Sequence, residues 1–174
     1  MDRGLDFLKS QVNNAVMQHE TFCRNLVDHE SQAEDPRFRE LCTKYIPVMQ
    51  AHQRMLEDYQ REIGAEAGAG KKMLGKALGV ARDLADAARE SDFLRLVGDI
   101  VTSRQSEDTF KTFREAGKQL GIDRLRDIGD KCERDHDRYA DEANRLCQTL
   151  FVEHLRGADG GISAGARVDT TPRL

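Results

Sequence analysis

With only three prolines in 174 residues, sparse β-branched side chains and no alternating apolar pattern, the chain has little from which a β-sheet could be built. Ala, Leu, Glu, Lys, Arg and Gln dominate instead, so helix propensity is high almost throughout. No apolar run is long enough to span a bilayer. The first residues, MDRGLDFLKSQ, carry charges where a signal peptide would be apolar, so a cytoplasmic location is expected. A basic excess is missing too. Acids and bases nearly cancel, to a formal net charge of -4, and are interleaved along every segment, unlike the electrostatic footprint of a nucleic-acid binder. Nor do the four cysteines, Cys23, Cys42, Cys132 and Cys147, form a CxxC pair. Lying on or beside apolar helical stripes, they read as reduced core residues whose surroundings keep the thiols protonated.

What is present is a third of charged residues and 39% hydrophobic ones, enough for a single well-buried core and too short a chain for two domains. The stripe Leu5, Leu8, Val12, Val16, Phe22, Leu26 predicts a first helix over about residues 4 to 30. Asp35 followed by Pro36 marks the start of a second, which Gly64 closes and Pro47 should kink. Residues 65 to 90, glycine-rich at first and then helical, form a long crossover. Ser91 or Asp92 caps a third helix with the stripe Phe93, Val97, Ile100, Glu107, Phe110, Phe113, Leu120, ended by Gly121. Asp123 opens a fourth that reaches about Arg156 and buries Leu125, Ile128, Cys132, His136, Tyr139, Ala143, Leu146 and Leu150. Residues 157 to 174 lack periodicity and read as a flexible tail. The expected fold is all-α: residues 1 to 156 as a ferritin-like four-helix up-down bundle, with the long crossover between its second and third helices.

Each long stripe is broken near its midpoint by an ionisable residue: His19 with Glu20 beside it, His52, Glu107, and His136 with Glu133 one turn earlier. Buried polar groups must be hydrogen-bonded, hydrated or bound to metal, so four coincident breaks predict one polar layer. Counting outward from the second turn puts Glu107 and His136 level. From a first turn near Ala33, His52 overshoots His19 by about 7 Å of helical rise and should sit at the layer's edge. Glu133-x-x-His136 shares one helix face, and such pairs, with a Glu from each of two other helices, hold two metal ions in helical bundles. The candidate ligands are therefore Glu133, His136, Glu107, His52, Glu20 and His19. Carboxylates mixed with imidazole suit iron or manganese. Two other sites are excluded: the third helix has no histidine for a hemerythrin-type centre, and Gly64, Gly70 and Lys71 have the wrong spacing for a phosphate loop.

DPRFRELCTKYIPVMQAHQRMLEDYQREIG in the second helix and SEDTFKTFREAGKQLGIDRLRDIGDKCERDHDRYADEANRL in the third and fourth carry a family likeness. Over these segments the chain resembles the ferritin-like bacterial stress proteins of the YciF-like kind and, more distantly, rubrerythrin-like bundles. The resemblance implies an iron- or manganese-binding bundle serving in stress or oxidant response. Where that family carries a second-helix glutamate, this chain has Val48, Met49 or Gln50. That departure favours the alternative, a non-catalytic helical interaction or stress protein that has lost the site and acts through its surface as a homodimer. Neither reading includes a nucleic-acid or membrane partner.

Overall fold

The computed structural model describes residues 3–65 and 91–157. The expected crossover helix and the expected tail lie outside the described residues. Within them are four helices, α1 (Arg3–Gln32), α2 (Pro36–Glu62), α3 (Asp92–Leu120) and α4 (Asp123–Gly157), and no strand. Their ends follow the expected chemistry. The Asp35 carboxylate accepts from the backbone N–H groups of Arg37 and Phe38 ahead of Pro36, satisfying donors that have no partner inside the helix. Ser91 Oγ does the same for Leu94 N–H. Gly121 ends α3 in the left-handed region at φ 67°, a conformation that costs glycine nothing. α2 runs through Pro47 without a break in its helical assignment. No helix among the described residues is long and apolar enough to cross a membrane.

α1 packs on α2, α3 on α4, α2 on α4 and α1 on α3. Along α1 and α2 the bonded pairs are Asn13–Gln60, His19–Gln53 and Glu30–Thr43, so one number falls as the other rises. Arg37–Glu153, Lys44–Glu142 and His52–Asp135 run the same way between α2 and α4. At one end the Asp92 carboxylate accepts from the backbone N–H groups of Glu34 and Asp35, joining the start of α3 to the link between α1 and α2. Gly117 and Gly129 let α3 and α4 approach closely, because a Cβ at either would collide with the backbone of Arg126 or Arg114.

Two apolar clusters fill the interior. One gathers Phe22, Leu26, Phe38, Tyr45, Met49, Leu96 and Tyr139, and the other Val12, Val16, Leu56, Phe110, Phe113, Leu125 and Ile128. In sequence, buried His19, His52 and His136 each fall between a residue of one cluster and a residue of the other. The first half of α3 departs from the expected stripe. Its buried face is Leu96, Asp99, Ser103 and Ser106, while Phe93, Val97 and Ile100 are only half-buried. Three of those four buried residues are polar, so a pattern drawn from hydrophobicity passes them over. Leu5 and Leu120, expected at stripe positions, are exposed at the helix ends.

Candidate metal centre

His19 from α1, His52 from α2 and His136 from α4 converge, each at most 1% exposed. One ring nitrogen of each lies within 4.8 Å of the other two. His52 is therefore inside the layer, not at its edge. The bonded pairs of α1 and α2 are centred near Pro36, three residues beyond the turn assumed from sequence, and this shift brings His52 level with His19. His19 Nε2 and His136 Nε2 are 3.1 Å apart. Two imidazoles bound to one ion by bonds of about 2.0 Å would have their nitrogens roughly 3.3 to 3.5 Å apart.

Each ring also has a hydrogen-bond partner outside the group. His19 Nδ1–H donates to Gln53 Oε1 at 3.0 Å. Gln53 is held in that orientation because its Nε2 donates to Glu57 Oε1 at 2.8 Å and to Val16 O at 3.4 Å. His52 Nε2–H donates to Asp135 Oδ2 at 3.0 Å, leaving Nδ1 buried with no partner. His136 Nδ1 is 3.0 Å from Ser103 Oγ, whose hydroxyl can also donate to His136 O at 3.2 Å. With the serine proton on that carbonyl, His136 carries its own proton on Nδ1. Its Nε2 lone pair then faces the lone pair of His19 Nε2. An acceptor behind each imidazole, fixing its tautomer and orientation, is the usual support of a histidine that ligates metal.

Burial holds the rings neutral. It lowers the His19 pKa to about 4, against the raising effect of the Gln53 hydrogen bond. His136 falls well below its ordinary value through burial and the neighbouring His19 and His52. For His52 burial outweighs the raising effect of Asp135. Three neutral imidazoles are already in the protonation state a metal requires. Phe22 and Phe110 stand on either side, each ring centroid 5.3 Å from that of His136. The walls are apolar.

The carboxylates expected to join the histidines have other partners. Glu107 is buried, but Arg104 Nη1 reaches it at 2.6 Å and Lys111 Nζ at 2.5 Å. Glu133 is held by Arg114 on α3, and Glu20 is exposed. Among the described residues, the three histidines alone form such a group. Ser103, Gln53 and Asp135 were not singled out from sequence. Nothing in their spacing marks them, since each becomes informative only once a histidine on a neighbouring helix is known to face it.

A second buried polar group lies one turn earlier on α3. Asp99 Oδ2 accepts from His29 Nδ1 at 2.9 Å and from Tyr139 O–H at 3.2 Å, while its Oδ1 has no partner. Burial raises the Asp99 pKa, opposed by His29 and Tyr139. All four cysteines are free thiols. Burial raises Cys42, Cys132 and Cys147, and pushes Cys23 up to about 12. Comparison with protein families, with curated proteins and with solved structures finds no match, so the site is read from its own geometry.

Proposed function

We propose that this protein is a metal-binding four-helix bundle that holds one transition-metal ion on His19, His52 and His136. The observation that carries this reading is the convergence of one ring nitrogen from each of three buried histidines, with Gln53, Asp135 and Ser103 hydrogen-bonded to the rings. A metal would use the two lone pairs that crowd each other across 3.1 Å and the His52 Nδ1 that has no partner. An all-imidazole set suits zinc, copper, nickel or iron better than the manganese that a carboxylate-rich site would favour.

A ferritin-like arrangement of the helices accords with this reading. Asp92, at the start of α3, bonds next to the start of α2. The chain leaving α2 at Glu62 must therefore return the length of a 27-residue helix, about 40 Å, before α3 begins. A crossover through residues 66 to 90 is long enough for that return.

One observation favours the alternative, a polar layer that gives the bundle its register and leaves function to the surface. If Ser103 donates to His136 Nδ1, then His136 Nε2–H can donate to His19 Nε2 and only His52 Nδ1 lacks a partner. The two readings separate by metal content. Protein expressed without an affinity tag should carry close to one equivalent of a transition metal per chain by elemental analysis. That metal should be absent from His136→Ala and retained in Glu107→Gln and Glu133→Gln. Metal-free wild type that takes up no ion when reconstituted would leave the structural layer as the explanation.

A further inference from the structure

Building on the three-histidine reading, we propose that the ion is monovalent copper. The first reason is charge. All three donors are neutral, and the walls are the Phe22 and Phe110 rings. The cost of placing an ion in such surroundings rises with the square of its charge, so a dication costs about four times as much as a monocation. One carboxylate, Asp135, hydrogen-bonds directly to a ligating ring, and it also lies 3.5 Å from Arg138. Gln53 and Ser103, behind the other two rings, are neutral. Glu57 is a further hydrogen bond away, behind Gln53. Among the described residues, the only carboxylate bonded to a ligating ring is thus already shared with a cation, which leaves little negative charge to offset a dication.

The second reason is donor number. On three histidines zinc completes its four donors with a water, and since no fourth His, Cys, Asp or Glu joins the group among the described residues, zinc here would need a water lodged beside the Phe22 and Phe110 rings. Cys23 does not supply the fourth donor. Its Sγ lies 3.5 Å from His19 Nδ1, on the nitrogen facing away from the cluster. Glu107, one of the ligands expected from sequence, is engaged by Arg104 and Lys111. Cuprous ion, with a filled d shell, is satisfied by three donors and has no need of a bound water. Because the rings are at most 1% exposed, release of the ion requires the helices to part, so the site holds copper rather than presenting it to solvent.

The test is anaerobic reconstitution of the full chain with cuprous ion in competition with a chromogenic cuprous chelator, and in parallel with zinc ion in competition with a zinc chelator. X-ray absorption of the copper form reports the donors. The expected result is one copper per chain with a three-coordinate, nitrogen-only shell, under competition that strips zinc. His52→Gln, checked by circular dichroism to keep its helicity, should lose copper affinity by more than the roughly 10- to 100-fold that loss of an outer-shell partner costs. Zinc held as firmly as copper would overturn the cuprous assignment and leave the three-histidine metal site standing. A copper shell containing sulfur, or copper binding unchanged in His52→Gln, would overturn the assignment by placing the ion off the three-histidine set. Retention of neither ion would overturn both this inference and the metal-binding reading.

Discussion

Ser103 and Gln53 are small parts of the chain with a large claim on the site, because each fixes which nitrogen of a buried imidazole is free. Removing the serine hydroxyl in Ser103→Ala leaves His136 Nδ1 without an acceptor inside the core. The expected cost is about 1–3 kcal/mol of stability, read by urea denaturation, with a 10- to 100-fold loss of metal affinity. The histidines also make stability depend on pH, with a definite sign. Burial depresses all three pKa values, His19 to about 4, so below the ordinary value of 6.5 the unfolded chain binds more protons than the folded one. Stability is therefore fully present near neutrality and is lost as pH falls through 6.5 towards 4. His19 alone should remove about 2 kcal/mol between pH 7 and pH 5 in the metal-free protein. Denaturation at the two pH values measures this, and a His19→Gln variant, lacking the titrating ring, should show a smaller drop.

Among the elements, the seam between α3 and α4 is the least tolerant. At Gly129 even a methyl group would meet the backbone of Arg114 and the carbonyl of Phe110, so one helix must move off the other. Gly129→Ala should cost about 1–3 kcal/mol or more by thermal unfolding, since the clash is with main chain and not with the end of a flexible side chain. Asp35→Ala, which removes the cap of α2, should cost about 1 kcal/mol. The ion pairs on this seam explain the fate of the expected carboxylate ligands. Arg104 reaches Glu107, Asp137 and Asp141, and Arg114 reaches Glu133, at positions that leave the guanidinium groups partly in solvent. A carboxylate at the margin of the layer keeps its charge most cheaply by pairing there.

For the whole molecule, metal should act as a folding ligand, because the three donors come from three helices that meet only in the native state. At a free metal concentration of a hundred times Kd the gain should be about 2.7 kcal/mol. It would appear as a concentration-dependent rise in Tm that is absent in His136→Ala. Much of this architecture is legible in the sequence. Propensity, caps and stops locate all four helices to within a few residues, because Asp35-Pro36, Ser91 and Gly121 act through their own backbone neighbours. The interruptions at His19, His52 and His136 are visible for a similar reason, since a 3.6-residue period makes a polar intruder on an apolar stripe stand out. Which intruders meet was decided by tertiary structure alone. A shift of about three residues in the axis relating α1 to α2 moved His52 from the edge of the layer to its centre. The packing of α3 on α4 put Ser103 against His136, while Glu107, on the same buried face, stayed with its cations. Both depend on how helices slide and turn against one another, which side-chain packing sets and the period of a single helix does not encode.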